Sequence, residues 1–198
     1  MLDHVFLDAV RALSDALDEA LLERRPHDDR LAADILVGDL VWETSCSLPG
    51  EGTPPRVRAD VTLDWPTWSQ AAWRALIAGE PTEDPPEIGI EVVLRVQRLA
   101  ERPDIERVLA VLPEESPQIG SERLERSGPI IEESYETPVR RMAIEVGYDG
   151  TYPLHPEVAM PAKELVEHLA TMGAWIASAL VRLGDLNFEY LPPDPTEA

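Results

Sequence analysis

The chain is poor in cysteine, lysine and phenylalanine, and it has no long hydrophobic run. Each scarcity excludes something. Cys46 is the only cysteine among 198 residues, so no intrachain disulfide can form, and a lone thiol suits a reducing compartment. Lys163 is the only lysine, every other base being arginine; that usage points to a bacterium with a GC-rich genome. No apolar run approaches the roughly 20 residues of a membrane-spanning helix. The opening Met1-Leu2-Asp3-His4 is acidic and amphipathic rather than basic then apolar, unlike a secretory signal. A cytoplasmic protein is expected. The Walker loop, G-x-G-x-x-G and G-x-S-x-G are also missing, so no motif announces a nucleotide site or an acyl-transfer nucleophile.

Bases are outnumbered. There are 17 Lys and Arg against 38 Asp and Glu, a formal net charge of −21. A polyanion gains nothing from counterion release on nucleic acid, and anionic membranes repel it. Neither partner is expected, unless the protein mimics nucleic acid and occupies a basic protein. The plain reading is that acidity confers solubility and limits self-association. An apolar fraction of 44% is that of a globular chain. The length of 198 residues suits one domain, or two small ones sharing an interface. Such a chain buries roughly 70% of its unfolded surface and needs no metal to fold.

Periodicity gives the elements. Leu2, Val5, Phe6, Ala9, Leu13, Ala16, Leu17, Ala20 and Leu21 predict an amphipathic helix over about 2–24, closed by Arg24-Arg25 and Pro26. Residues 34–48 and 57–65 predict a hairpin across a Pro- and Gly-rich turn at 49–55, with Val57, Ala59, Val61, Leu63 and Trp65 inward. Pro66 opens a helix to Ala78, capped by Gly79, whose packing face would be Trp68, Ala72, Ala75 and Leu76. Residues 80–87 are an acidic, Pro-rich connection. Ile88, Ile90, Val92, Leu94 and Val96 then mark a strand, and Pro103 opens a short helix. Residues 113–128 lack periodicity and read as a surface loop or linker. A second hairpin is expected over 130–136 and 139–148, its inward row Met142, Ile144, Val146 and Tyr148. Asp149-Gly150 reads as a type I′ turn returning Thr151 to Leu154.

The last helix runs from about Pro161 to Leu183, with Gly184 as cap. It carries two adjacent apolar stripes, the second including Ala170, Gly173 and Ala177. So wide a face needs cover on two sides, from the first helix or from a second copy of the chain. A homodimer is expected on that ground. Leu186 to Leu191 predicts an edge strand and 192–198 a flexible tail. The expected fold is α+β, a mostly antiparallel sheet with helices mainly on one face. It forms a single domain over 1–191, whose halves 1–98 and 103–191 both read helix, hairpin, helix, strand.

No residue set carries a reaction by spacing. Glu164 and His168 share a helix face, as do His4 and Asp8, but each pair reads as an exposed ion pair. His27 precedes two aspartates in a loop, where capping or solvation accounts for it. His155 sits between Pro153 and Pro156, a rigid setting with no identified partner. Cys46 lies in register with Leu40 and Trp42, which says core rather than nucleophile. No metal and no cofactor is expected.

The remaining candidates are binding residues. Trp65, Trp68 and Trp73 fall within nine residues. Trp68 and Trp73 lie some 500° apart around a helix, so one of them should be partly exposed. Arg56, Arg58, Arg95 and Arg140 read as outward residues of strands. Their row could bind an anionic ligand or acidic peptide, or be neutralised by carboxylates such as Asp60, Glu91 and Glu145; neutralisation is favoured.

The order of helices and hairpins, the size and the acidity resemble small acidic secretion chaperones, whose dimers bind partner segments. That resemblance covers topology and names no site. It implies a non-catalytic protein-interaction or chaperone-like module. A small hydrolase-type enzyme using His155 or Cys46 is the first alternative, and a nucleic-acid mimic bound to a basic protein the second.

Overall fold

The computed structural model describes residues 4–21, 29–33, 38–136, 139–155 and 163–193. In chain order its elements are α1 (His4–Leu21), β1 (Asp29–Ala33), β2 (Leu40–Ser47), β3 (Val57–Trp65), α2 (Thr67–Ala78) and β4 (Glu87–Leu99). There follow α3 (Ile105–Val111), β5 (Glu125–Arg126), β6 (Ile130–Glu136), β7 (Val139–Pro153) and α4 (Lys163–Gly184). The strands form one antiparallel sheet in the order β1-β2-β3-β4-β7, with β5 and β6 paired along the far side of β7. The α+β class expected from the sequence is the one adopted, and β4 with β7 joins the two halves of the chain in one sheet.

Period-two patterning explains why the sheet has two unlike faces. Along β3, Val57, Ala59, Val61, Leu63 and Trp65 are buried while every residue between them is half-buried. Ile88 to Val96 in β4 and Met142 to Tyr148 in β7 continue the same inner rows. Leu63, Ile90, Leu94 and Ile144 are buried there, and Leu169 and Ile176 bury themselves from α4. The helix lies against β3 and β4, and α1 packs beside it. Phe6 of α1 stacks on Trp65 with ring centroids 5.9 Å apart. The two main helices thus cover one face, and the other meets solvent.

Several expectations are corrected. Asp29–Ala33 forms an edge strand, not a loop, opposite Ala33↔Leu40 to Asp29↔Thr44. Arg24, Arg25, Pro26, His27, Leu36, the 137–138 turn and Pro161 lie outside the described residues. The turn expected at Asp149-Gly150 does not form; β7 runs straight through it to Pro153. Gly150 is there for close approach: a Cβ would stand 3.0 Å from Leu124 and 3.3 Å from the Arg123 carbonyl oxygen. Residues 113–128 are a packed segment rather than a linker. Ser116, Ile119 and Leu124 are buried, and Tyr148 donates its hydroxyl to the Pro113 carbonyl at 2.6 Å. Only one bridge, Tyr190 with Leu99, survives of the strand expected at 186–191.

Helix α2 packs by a different face from the one expected. Ser69, Gln70 and Trp73 are buried, whereas Trp68 is 48% exposed. The hydrogen bonds explain the choice. Ser69 accepts from Trp65 Nε1 at 3.1 Å and donates to the Glu87 carbonyl at 2.6 Å. The Gln70 amide donates to the carbonyls of Gly38 and Trp65 at 2.8 and 2.9 Å. Burying Ser69 and Gln70 satisfies backbone groups at the sheet's end that an apolar face could not reach. Gly79 closes the helix in the left-handed conformation at φ 77°, as anticipated.

The close approach anticipated at Gly173 is made within the chain. A Cβ there would lie 2.8 Å from the Ala16 Cβ and 3.2 Å from the Ala16 carbonyl carbon. The small stripe of α4 therefore seats α1, and a twofold contact would have to use another surface.

Candidate functional site

The open face of the sheet is organised in cross-strand rows, and the rows differ in charge. One reads Ser47, Arg58, Arg95, Glu145, Ile130 from β2 to β6. Four residues along each strand lies another, Glu43, Thr62, Glu91, Asp149, Glu125. From β2 to β5 this second row holds four carboxylates and no base; Arg30 of the edge strand is next in register beyond Glu43. Among the described residues no cation pairs with Glu91, Asp149 or Glu125. One end of the face is therefore arginine-bearing and the other acidic.

Arg58 and Arg95 sit directly opposite each other, a repulsive arrangement unless each finds a carboxylate. Each does. Arg58 donates to Asp60 Oδ2 from Nε at 3.0 Å and pairs from Nη2 at 2.8 Å, while Ser45 donates to the other Asp60 oxygen. Arg95 donates to Glu145, to Glu132 at 2.6 Å and to the Gln97 amide oxygen at 3.2 Å. The row is neutralised by carboxylates, though Asp60 does so from Arg58's own strand and Glu91 takes no part.

Arg56 behaves differently. It precedes β3, donates twice to Glu51 Oε1 at 3.0 and 2.7 Å, and covers the Tyr190 ring at 5.2 Å. Its work is to tie the 49–55 turn to the C-terminal segment. The side chain of Arg140 lies outside the described residues, and in the register it is Arg141, opposite Ser134, that shares the row parity of Ala143 and Glu145. Of the tryptophans, Trp73 is core at 2% exposure and Trp68 is the exposed one. Trp68 stands on α2, apart from the outer rows.

The sequence reading missed Arg98. Between Val96 and Leu99 the β4–β7 register slips by one residue, and Arg98 adopts φ 60°. A non-glycine residue in that region costs on the order of 1–3 kcal/mol, and bulges of this kind re-aim side chains. The side chain is 7% exposed. Its Nε donates to the Leu191 carbonyl at 3.0 Å, and Nη1 donates to the carbonyls of Glu51 and Pro54 at 3.1 and 2.9 Å. Among the described residues it has no carboxylate partner. A signal was available: Arg98 continues the inward parity of Ile88 to Val96, where a charged residue announces that the strand pattern breaks.

Beside it lies a cleft of about 180 Å³ on the open face, lined by Pro54, Arg95, Gln97, Arg98, Glu132, Ser134 and Arg141 among others. A second cleft, of about 210 Å³, lies between the start of the α3 segment and residues 187–189, lined by the acids Glu101, Asp104 and Glu189 and the bases Arg102 and Arg107. Neither cleft is lined by Cys46 or His155. Cys46 is fully buried and His155 exposed. His168 shares a hydrogen bond with the Tyr152 hydroxyl through Nδ1 at 2.9 Å, in place of the ion pair with Glu164 expected from spacing. Burial, with the nearby Glu164 charge adding to it, pushes the Tyr152 hydroxyl up to about 12. Asp64, on the acidic end of the face, is raised above the usual carboxylate range by burial and by the charge of Asp39. No described helix is long and apolar enough to cross a membrane, and no described group of acids, histidines or cysteines is arranged to hold a metal. Comparison of the chain with protein-family models, with curated proteins and with solved structures finds no match, so the site is read from its own geometry.

Proposed function

We propose that the protein is a non-catalytic interaction module that receives a segment of another protein on the open face of its sheet. The observation that carries this reading is the asymmetry of the sheet. Its main helices cover one face, and the other is left open with its charges sorted into an arginine end and an acidic row. Sorted charge favours one orientation of a partner and raises its association rate more than its bare affinity. The carboxylates Glu91, Asp149 and Glu125, which pair with no cation among the described residues, suit basic side chains of the incoming segment. Cytoplasmic residence fits this role, as do the lone buried thiol and the high negative charge.

The test is capture from host extract by wild type, by Glu91→Lys/Asp149→Lys, and by Asp15→Lys/Glu19→Lys on α1 as a charge-matched control. A protein held by wild type and by the control, and lost from the sheet variant, is the expected outcome. Identical capture by all three, or recovery of a small molecule alone, refutes the reading.

One observation favours a second reading. Four carboxylates in a cross-strand row, on strands ~4.8 Å apart, form an anionic stripe that a nucleic-acid-binding protein could accept. The arginine end of the same face argues against it, since a phosphate mimic gains nothing from adjacent guanidinium groups. Displacement of the captured partner by duplex DNA would move the balance to this second reading.

A further inference from the structure

Helix α2 is built inside out. Its buried residues are Ser69, Gln70 and Trp73, two of them polar, while Trp68 and Ile77 stand among the exposed large hydrophobic residues of the chain. The carbonyls at the sheet's end account for the polar residues inside. They do not account for what faces out. At about 100° per residue, Ala71, Ala75 and Ala78 fall within about 80° of Trp68; Ala71 and Ala78 are exposed and Ala75 is half-buried. A surface helix ordinarily turns charge outward, and this chain has 38 acids to supply it. None of them lies in Thr67–Ala78, whose one charged residue is Arg74. By contrast, α1 exposes Asp15, Asp18 and Glu19, and α4 exposes Glu164 and Glu167.

The acids begin where the helix ends. Asp39 accepts from the Thr67 backbone N–H and hydroxyl at 2.6 and 2.8 Å. At the other end the Glu80 backbone N–H donates to the Ala75 carbonyl at 2.9 Å, with Glu83 and Asp84 exposed just beyond. An apolar surface about 18 Å long, the rise of 12 helical residues, is thus bounded by carboxylates at both ends.

We propose that the outward face of α2 docks an amphipathic helix of another protein, whose apolar stripe covers Trp68 and the alanines and whose ends carry Lys or Arg. Charge selects this occupant. A second copy of the chain, laid parallel or antiparallel along α2, would bring one pair of acidic ends onto another. An anionic membrane would meet the same carboxylates. A helix with basic ends meets opposite charge at each end and no acid between. Ala71 and Ala75 admit a helix axis at about 8–10 Å, so the incoming side chains are large and recur at i, i+3 or i+4, and i+7. This surface is apart from the open face of the sheet, and the proposal does not rest on the reading of that face.

The experiment is selection on the wild-type protein of a displayed library of random peptides of about 16 residues, enough for about four helical turns. Selected peptides are then titrated into isotope-labelled protein while the Trp68 indole N–H resonance, identified by its loss in Trp68→Ala, is followed by NMR. Large apolar residues at helical spacing between Lys and Arg are expected, with saturable shifts of that indole. Binding should fall at least about tenfold in Trp68→Ala. It should fall about tenfold in Glu80→Lys/Glu83→Lys, with loss of its salt dependence. All three positions are exposed, so neither variant threatens the fold. Peptides without basic bias, or binding that falls in Glu91→Lys/Asp149→Lys and not in Trp68→Ala, overturn the proposal. So does a Trp68-dependent dimer in light scattering, which would put a second copy on the face. A Trp68 indole insensitive to a soluble paramagnetic probe in the free protein would put a segment of this chain there, and overturns it equally.

Discussion

Leu94 touches the core from the centre of β4 and is 1% exposed. Truncation to alanine leaves a cavity that the flanking β3 and β7 residues cannot fill. Leu94→Ala should therefore cost about 2–5 kcal/mol in chemical denaturation, and a loss below about 1 kcal/mol would contradict the inner-face assignment. Tyr152 makes a pH-dependent contribution whose sign follows from its raised hydroxyl. The folded phenol keeps its proton to about 12, whereas the unfolded one releases it near the ordinary ~10. Unfolding then releases a proton, so this stability is intact below pH ~10 and is lost as pH rises toward ~12. Urea midpoints at pH ~9 and pH ~11.5 measure the loss, which should be smaller in Tyr152→Phe than in wild type. Equal losses in both proteins would place the alkaline transition elsewhere. Asp64 runs in the same direction at acidic pH: its raised value makes its charge a burden as pH climbs through the carboxylate range.

At the scale of elements, what the sequence made legible depended on whether a local period matched the tertiary environment. β3 and β4 were legible because each buries one row and wets the other, which is what alternation encodes. β7 was half legible. Its inward row was plain, but Asp149-Gly150 carries the chemistry of a turn while Gly150 serves Leu124, a residue 26 positions away whose position no local rule contains. α2 failed for a related reason: Ser69 and Gln70 face inward to serve carbonyls at the sheet's end, so apolar counting chose the wrong side. The arginines of β3 and β4 could be placed on a face, but their partners could not. Arg58 and Arg95 become opposite neighbours only once the register is known.

Gly173 is the corresponding case in the helices. Its small stripe was visible, and the surface it seats was not. Alanine at 173 adds helix propensity of about 1 kcal/mol, yet its Cβ would meet Ala16 at 2.8 Å. We expect the clash to win, with a net loss on the order of 1–3 kcal/mol. Ala16→Gly should recover part of it in a double-mutant cycle, through a coupling above about 0.5 kcal/mol. Strict additivity would mean that α1 and α4 do not meet at this point.

At the scale of the molecule, the apolar side of the sheet is spent on α1 and α4, and no comparable layer stands over the charged side. A net charge of −21 would by itself disperse carboxylates evenly. Here the open face instead sets the row of Glu43, Glu91, Asp149 and Glu125, which holds no base from β2 to β5, apart from Arg58 and Arg95 with their partners Asp60, Glu132 and Glu145. Solubility explains the abundance of acid and does not explain that sorting. Under the function proposed above, recognition of an oriented partner accounts for it. The most direct measurement is carbodiimide footprinting of carboxylates in the protein alone and in complex with the partner it captures. Glu91, Asp149 and Glu125 should lose reactivity in the complex, while Asp15 and Glu19 on α1 and Glu167 on α4 keep theirs. Protection of the helix carboxylates with the sheet row unchanged would contradict the open face as the site of binding.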